Sequence, residues 1–334
     1  MVFRGQTLGK YRIIEPLGSG GFGTVYLAED TWIDKRVALK VPHKQNLDFG
    51  ELLKEPRLLA SLSHPNIVTV ITAEKQDNVF FIVMEYVPGD TLETLIIQRG
   101  ALNLMEALDY TAQICNAVEH AHKNNVLHRD LRPANVFVTE KGLLKVGDFG
   151  TSRVLEIAAH GTTVIGSPPY MAPEQFEGRA VFASDLYSIG VTAYQMLTGT
   201  LPYDTPTPAD LARLKRGEMV APLRTRNATV PKVIEAIVMK ALSPTVGARY
   251  QRAEDLLNDL LAARRDLVRR PPPEIASLPA PAGAGATARS VPMRSTPTPA
   301  RLRPRDTPTA RFCWQCRKPL PARGTQCPFC GETQ

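Results

Sequence analysis

Residues 128–135 have the sequence HRDLRPAN, and the sequence DFG follows at residues 148–150. Two motifs come earlier in the chain, GSGGFG at residues 18–23 and VALK at residues 37–40. A fifth motif, MAPE, occupies residues 171–174. Each motif alone has little specificity, because short matches arise by chance. The five together, in this order and at this spacing, are highly specific.

The glycine-rich motif lies between two predicted strands. In dinucleotide-binding folds a G-x-G-x-x-G sequence opens a helix, whereas here β-branched and aromatic residues flank the motif on both sides. This placement favours a hairpin whose glycines let backbone amides approach phosphate oxygens. On this motif alone, a plain glycine-rich turn explains the sequence equally well.

Lys40 ends a short apolar strand. Removing a lone ammonium group from water is costly, so a lysine on a buried strand needs a counter-ion. The alternative is a surface lysine on an edge strand.

Strand patterns dominate the chain up to residue 90, and helical patterns dominate it from residue 92 onward. Runs of β-branched and aromatic residues bounded by turn residues predict strands at residues 11–17, 23–29, 36–41, 67–74 and 79–86. Apolar periodicity predicts helices at residues 51–62, 184–199, 233–242 and 253–265, and an apolar helical stripe within 107–121. Strands followed by helices predict an α+β fold in two lobes.

The basic excess of the chain is confined to its C-terminal part. The 334 residues carry a formal charge of +7, and 43% of them are apolar, which is typical of soluble globular proteins and excludes collagen-like and disulfide-dense classes. Residues 269–334 contain eleven Lys/Arg and three Asp/Glu, a net charge of +8, which leaves −1 for residues 1–268. The overall charge therefore gives no indication of what the larger part binds.

A linker is predicted at residues 269–310. Ten prolines fall between residues 271 and 308, and residues 271–310 contain no aromatic residue. Such a segment cannot bury enough apolar surface to offset its ordering entropy, so we expect it to be disordered.

Four of the five cysteines form two C-x-x-C pairs, namely Cys313, Cys316, Cys327 and Cys330. The sequence has no signal-peptide run and no apolar stretch approaching the roughly 20 residues of a membrane span, so we expect a cytoplasmic protein without a membrane anchor. In that compartment paired C-x-x-C motifs indicate a metal before a disulfide. Four thiolates suit Zn²⁺, and residues 311–334 are predicted to be a Cys₄ zinc ribbon. A redox-active dithiol is the alternative.

The fifth cysteine, Cys115, lies on the predicted apolar stripe of a helix. We interpret it as an inert core residue.

In order and spacing, the five motifs resemble those of protein kinases of the serine/threonine type. The sequences HPNIVTV, VMEYVPGDTLE and YMAPEQ are similar to those of eukaryotic-like kinases of bacteria. The resemblance covers about residues 8–265. It implies a bilobal kinase domain over residues 8–268, with an N-lobe of antiparallel sheet plus one helix at 8–87 and a mainly helical C-lobe at 88–268. It also implies ATP and Mg²⁺ (or Mn²⁺) as cofactors, protein substrates, and phosphorylation of Ser/Thr hydroxyls, including the protein's own.

The resemblance assigns catalytic and metal-binding roles to five residues. Asp130 would accept the proton of the substrate hydroxyl, and Arg132 would stabilise charge on the transferred group. Lys40 would hold the α- and β-phosphates of ATP. Asn135 and Asp148 would each bind Mg²⁺.

The resemblance also implies an ATP site between the lobes. Val25 and Ala38 would cover the adenine, with Phe137 below it, and Met84 would be the gatekeeper before a hinge at residues 85–87. The complete set of implied ATP-site residues is Leu17, Gly18, Ser19, Gly20, Gly21, Phe22, Gly23, Val25, Ala38, Lys40, Glu55, Met84, Glu85, Val87, Asp90 and Phe137.

Glu55 is implied to pair with Lys40 from the predicted helix, but Pro56 follows it directly. Because proline is tolerated only in the first turn of a helix, either the helix begins near Lys54 or it is bent. Glu51 is the alternative partner of Lys40.

Two further positions depart from the family's serine/threonine pattern. Arg132 stands where Lys is usual, and its guanidinium keeps the charge, although the two side chains are not equivalent. Ser167 stands where Thr is usual and keeps the hydroxyl that would bond to Asp130.

Arg129, beside Asp130, indicates regulation. In the family it meets a phosphate on the activation segment, which here spans residues 151–171 and contains Thr162 and Thr163. We hypothesise autophosphorylation at one or both, the alternative being that they are ordinary polar loop residues.

Two structural roles are also expected in the C-lobe. Glu174 and Arg249 are predicted to form a buried ion pair, and Asp185 to anchor the backbone of the catalytic loop.

Two other functions fit parts of the sequence. A pseudokinase scaffold would act through its linker and zinc ribbon alone, but the intact Lys40, Asp130, Asn135 and Asp148 argue against it. A nucleic-acid-binding regulator would use the basic residues 269–334 and bind in a steeply salt-dependent way. The ribbon's partner, a protein or a nucleic acid, stays open.

Overall fold

The computed structural model describes residues 2–20, 23–43, 45, 49–149, 167–269, 311–312 and 319–320. Within these ranges, only the backbone is described for residues 49, 51, 52, 54, 55, 58, 208, 311, 312, 319 and 320. The chain divides into two compact units, Met1–Ile275 and Ala276–Gln334.

An antiparallel sheet forms the first part of the larger unit. Its six described strands are β1 (Thr7–Leu8), β2 (Tyr11–Ser19), β3 (Gly23–Asp30), β4 (Lys35–Pro42), β5 (Val70–Gln76) and β6 (Val79–Glu85), in the order β1-β2-β3-β4-β6-β5. β4 lies inside the sheet, between β3 and β6. Lys40 pairs with Val25 on one side and with Ile82 on the other. The alternative of a lysine on an edge strand is therefore wrong.

The two faces of this sheet have different partners. Because side chains alternate along a strand, Leu39 and Val37 point to the face opposite that of Lys40. Their face carries a buried apolar cluster that includes Tyr11, Tyr26 and Phe81. Lys40 is left on the other face, towards the site.

Helix α1 (Phe49–Ala60) lies between β4 and β5 in the chain and contains Pro56 in its interior. A start near Lys54 is thus wrong. Proline has no N–H, so the helical hydrogen bond from residue 56 to the carbonyl of residue 52 cannot form.

Strand β5 begins at Val70, three residues later than predicted. Ile67 instead forms an isolated parallel bridge with Val146, and Val68 donates its N–H to the carbonyl of Val146 over 2.9 Å. Residues 67–69 therefore connect the sheet to the following part of the fold.

That following part is mainly helical. Its described helices are α2 (Leu92–Arg99), α3 (Leu104–Lys123), α4 (Phe182–Thr198), α5 (Leu211–Lys215), α6 (Leu223–Arg226), α7 (Lys232–Ala241) and α8 (Ala253–Arg269). A small antiparallel sheet joins β7 (Asp90–Thr91), β8 (Val136–Val138) and β9 (Leu144–Val146) in that order. Short 3₁₀ turns lie at Pro133–Asn135, Pro168–Tyr170, Pro173–Glu177, Pro208–Asp210 and Val246–Ala248. Strands followed by helices confirm the predicted α+β class.

Helices α3, α4 and α8 pack around one apolar core. Helix α4 is buried on nearly all sides, as expected for a central helix that is apolar all round. Cys115 of α3 is fully buried, and burial raises the pKa of its thiol, which agrees with an inert core residue.

Arg249 and Glu174 form the predicted buried ion pair. Nη1 and Nη2 of Arg249 lie 2.8 and 3.1 Å from the two carboxylate oxygens of Glu174. Ser184 Oγ donates to the same carboxylate over 2.6 Å. Losing either partner would leave the other charge buried, at a cost of about 3–5 kcal/mol.

In the smaller unit, strands β10 (Arg311–Phe312) and β11 (Pro319–Leu320) pair in antiparallel fashion. The four cysteines of the predicted zinc ribbon lie outside the described residues, and so do residues 270–310 of the predicted linker. Arg269, the first residue of that predicted linker, instead ends helix α8. Among the helices that are described, none has the length and apolarity needed to cross a membrane.

Candidate active site

Lys40 and Asp148 form an ion pair at the centre of the site. Nζ of Lys40 lies 2.7 Å from Oδ1 of Asp148, and Lys40 is only 7% exposed. Burial opposes ionisation of Asp148, but the charge and hydrogen bond of Lys40 outweigh it, so the pKa of Asp148 lies below its ordinary value. The counter-ion predicted for Lys40 is present, and it comes from the DFG motif. The side chains of Glu55 and Glu51, the expected partners, lie outside the described residues.

The backbone around Asp148 is tightly constrained. Asp148 has a φ of 56°, in the left-handed region that non-glycine residues seldom adopt. A Cβ atom on Gly147 would lie 2.9 Å from the ring of Phe137, so a larger residue there would have to displace this ring. Strain of this kind is often found at functional sites.

The catalytic loop brings Asp130, Asn135 and Arg132 together. Nδ2 of Asn135 donates to the backbone carbonyl of Asp130 over 2.8 Å and lies 3.3 Å from its Oδ2. Nε of Arg132 lies 4.0 Å from the same Oδ2. The site thus has a carboxylate held between an amide and a cation.

Ser167 contacts Asp130 differently from the prediction. Its backbone N–H donates to Oδ1 of Asp130 over 3.1 Å, so the expected bond from the Ser167 hydroxyl is wrong. Since any residue except proline supplies this N–H, the contact does not depend on Ser or Thr at position 167.

Asp185 anchors the catalytic loop, as predicted. Its Oδ2 and Oδ1 accept the backbone N–H groups of His128 and Arg129, each over 2.9 Å, and Nε2 of His122 lies 2.7 Å from Oδ2. Burial alone would raise the pKa of Asp185, but the hydrogen bond from His122 and the nearby His128 hold it below its ordinary value of 3.8.

His128 ties the loop to the strand that leads to Asp148. Its Nε2 lies 2.9 Å from the carbonyl of Gly147, and the N–H of Asp130 lies 3.3 Å from its Nδ1. Because a carbonyl only accepts, Nε2 carries the proton and Nδ1 is the acceptor. One buried imidazole therefore fixes the spacing between Asp130 and Asp148.

The glycine-rich motif forms the predicted hairpin between β2 and β3. Gly18 pairs with Val25, and the N–H of Gly20 donates to the carbonyl of Gly23 over 3.0 Å. A Cβ atom on Gly23 would lie 2.4 Å from the carbonyl oxygen of Val41, so this position requires glycine. Gly21 and Phe22 lie outside the described residues.

The predicted adenine residues lie on the six-stranded sheet and on the small sheet of β7, β8 and β9. Ala38 of β4 pairs with Met84 of β6, which puts them on the face of Lys40. Phe137 lies on β8, opposite Lys145 of β9. Of the other predicted ATP-site residues, Leu17 and Ser19 lie on β2, Val25 on β3, Glu85 at the end of β6, Val87 in the following connection and Asp90 on β7.

An apolar cavity lies behind the Lys40–Asp148 pair. Its lining includes Leu59, Ile67, Val70, Ile82, Met84 and Phe149. Such surroundings strengthen electrostatic interactions relative to water.

A model of the protein kinase domain matches residues 11–271. The chain belongs to the protein kinase family.

The kinase has bacterial relatives that are serine/threonine-protein kinases. It is 37% identical over 263 residues to PrkC of Bacillus subtilis, covering 76% of this chain and 40% of that protein. It is 34% identical over 265 residues to PknB of Mycolicibacterium smegmatis, covering 75% of this chain and 42% of that protein. The kinase thus spans about 40% of the length of these relatives.

A solved structure shares the fold. The crystal structure of Rad53 1–466 in complex with AMP-PNP matches with a TM-score of 0.66 and 27% identity, covering 75% of this chain and 64% of that one. The bilobal arrangement of a sheet-containing N-lobe and a helical C-lobe is therefore that of a protein kinase.

Some residues of the kinase site were not predicted. His122 gave no signal in the sequence, although it bonds to Asp185. Nε2 of Gln175 donates to the carbonyl of Arg129 over 2.9 Å. The only feature of the sequence that could have indicated this role is that Gln175 directly follows the MAPE motif. Thr162 and Thr163 lie outside the described residues.

We predict that Asp185→Asn weakens both the kinase fold and its activity. Asn has one acceptor oxygen where Asp185 has two, so an anchor of the loop is lost. We expect kcat to fall about tenfold or more and the free energy of unfolding at pH 7 to fall by about 2–4 kcal/mol. Kinetics and denaturant titration measure both.

This stability difference should depend on pH. Because the folded-state pKa of Asp185 is depressed, its contribution is complete well above the unfolded-state value near 3.8 and is lost as pH falls through the lower folded value. The gap between wild type and Asp185→Asn should then narrow under acid conditions. Asp266→Asn, at an exposed aspartate of α8, is the control. A gap that is constant down to acid pH would contradict the assignment.

Proposed function

We propose that this kinase transfers the γ-phosphate of ATP to Ser/Thr hydroxyls of proteins, including its own. The observation that carries the proposal is the convergence of four groups. Lys40 contacts Asp148, Asn135 contacts Asp130, and His128 connects the two pairs through Gly147. Phosphoryl transfer needs positioned charges more than covalent help from the protein, and this site supplies them.

Asp130 is the group that would accept and orient the substrate hydroxyl. The Ser167 amide and the Asn135 amide group hold its carboxylate in place. Arg132, close to Oδ2 of Asp130, supplies positive charge beside the reacting group. Arg at this position keeps the charge that Lys provides in most serine/threonine members.

Lys40 is the proposed ligand of the α- and β-phosphates. Its ammonium lies on the inner face of the sheet, one strand from the glycine-rich hairpin, and Asp148 holds it there. Amides of residues 18–23 would approach the phosphates, while Ala38, Met84 and Phe137 would enclose the adenine. Glu55 remains the proposed second partner of Lys40.

The donor set of Asp148 and Asn135 fits Mg²⁺ or Mn²⁺. Carboxylate and amide oxygens are the hard ligands that these ions prefer. The Asp148 side chain is 36% exposed, so it is accessible from the cleft. A bound Mg²⁺ would neutralise phosphate charge there.

Asp148→Asn should lower phosphoryl transfer at least about a hundredfold, because the metal-binding carboxylate is lost. Transfer of label from ATP to the protein itself and to casein, with and without Mg²⁺, measures the effect. Asp77→Asn, at an exposed aspartate of the β5–β6 turn, should behave as wild type. If the wild-type protein shows no Mg²⁺-dependent labelling of itself or of casein, the result would favour the pseudokinase scaffold instead.

We also propose that phosphorylation of the activation segment regulates the kinase. Arg129 has a left-handed backbone, with φ at 69°, and Asp185 and Gln175 hold its N–H and carbonyl. This arrangement fixes the backbone of Arg129, a cationic residue that directly precedes Asp130 in the chain. A phosphate on Thr162 or Thr163 is its proposed anionic partner.

Replacing Thr162 and Thr163 together by Ala should reduce kcat about tenfold or more, since no phosphate would then meet Arg129. Mass spectrometry of the wild type should find phosphate at one or both positions. Thr205→Ala, at an exposed threonine, is the control. Wild-type rates in the double variant would reject this regulation.

For the smaller unit we propose a structural Zn²⁺ held by Cys313, Cys316, Cys327 and Cys330. The paired β10 and β11 flank the segment with the first two cysteines, which supports a ribbon. The basic charge of residues 269–334 favours an acidic partner, a protein or a nucleic acid. The proposed location is the cytoplasm, where thiols stay reduced.

The purified 334-residue chain should contain one Zn²⁺ per molecule by atomic absorption, and Cys327→Ser should lose it. Cys115→Ala removes a thiol from the other unit and should keep the zinc. Disulfide-bonded pairs with no zinc would support the redox dithiol instead.

A further inference from the structure

Glu85 marks the point where β6 ends and the connection to β7 begins. Its Oε1 accepts two hydrogen bonds, from the N–H of Thr69 over 2.8 Å and from Nζ of Lys145 over 2.7 Å. Its own N–H donates to the carbonyl of Thr69 over 2.9 Å. The start of the hinge is thus held through both its backbone and its side chain.

Lys145 comes from the other side of the cleft. It lies on β9, three residues before Asp148, and its side chain is 15% exposed. Besides Glu85, Nζ reaches the carbonyl of Ile67 at 3.4 Å. One ammonium group therefore joins the hinge, the segment 67–69 and the strand that leads to the DFG motif.

The neighbour of Lys145 in the small sheet is Phe137, the proposed floor of the adenine site. Glu85 belongs to the proposed hinge wall of that site. The Glu85–Lys145 pair consequently connects two walls of the adenine site, although neither charged group belongs to the reacting centre of Lys40, Asp130 and Asp148.

We propose that Lys145 is a positioning residue for ATP. Through its ion pair with Glu85, Lys145 fixes the hinge backbone against β9, the strand that pairs with Phe137 of β8. Both charges are mostly shielded from water, at 15% and 26% exposure, so removing one leaves the other poorly compensated. A hinge that shifts by a fraction of an ångström misaligns its backbone groups with the adenine edge, which weakens nucleotide binding.

This inference rests on the proposed kinase function, but binding and catalysis can be measured separately. The variants are Lys145→Met, Glu85→Gln, the double variant and Lys145→Arg, with Lys141→Met as the control on the exposed β8–β9 turn. Calorimetry gives the Kd for Mg·AMP-PNP. Steady-state assays with casein give kcat and the KM values for ATP and casein.

Lys145→Met and Glu85→Gln should each raise the Kd for nucleotide and the KM for ATP about fivefold. The KM for casein and kcat should change by less than about twofold, because the catalytic loop is untouched. Lys145→Arg should recover most of the affinity. The double variant should be no weaker than Lys145→Met, since the two residues act through each other.

Several outcomes would overturn the proposal. An unchanged nucleotide Kd in Lys145→Met, even with a lower melting temperature, would make the pair merely structural. Additive losses in the double variant would show that the residues act independently, and a raised kcat would show that the pair restrains the enzyme. If Lys145→Met does not fold, the nucleotide Kd values of Glu85→Gln and Lys145→Arg still test the proposal. Wild type that binds nucleotide but transfers no phosphate would refute the proposed function and leave the binding test intact.

Discussion

The site depends first on a buried carboxylate that does not itself take part in the chemistry. Asp185, 1% exposed, accepts the backbone N–H groups of His128 and Arg129 and holds His122 beside it. A loop that must present Asp130 cannot satisfy its amides in a regular ladder, so a side chain from α4 satisfies them instead. The ionised form accepts these bonds best, which is why its pKa is depressed despite complete burial.

A series of contacts connects this anchor to the rest of the site. His128 bonds to the carbonyl of Gly147, and the next residue, Asp148, forms an ion pair with Lys40 on the N-lobe sheet. Each step is a single polar contact with a defined donor and acceptor, so an error at one step displaces the next. The positive charge of Lys40 on β4 is therefore balanced by the carboxylate of Asp148, which residues of the C-lobe hold in position.

The strands and helices whose apolar residues recur with a regular period were predictable from the sequence. Alternation along β4 put Lys40 on a buried strand, and its need for a counter-ion followed from desolvation alone. What the residues could not show was which acid would supply it, because that depends on how two distant segments approach. Ser167 illustrates the same limit: the residue was found, but the contact comes from its backbone, which no side-chain pattern encodes. Strand β5 begins later than predicted because Asn66 and Val68 form backbone hydrogen bonds with Val146, and such tertiary pairing overrides local propensity.

Two polar links between the lobes have different surroundings. Lys40–Asp148 joins them where phosphates would bind, and Glu85–Lys145 joins them beside the adenine walls. Asp148 and Lys145 stand three residues apart on one short segment, so both links end on the same piece of backbone. Since that segment is also bonded to residues 66 and 68 through Val146, it is a common attachment point for both links.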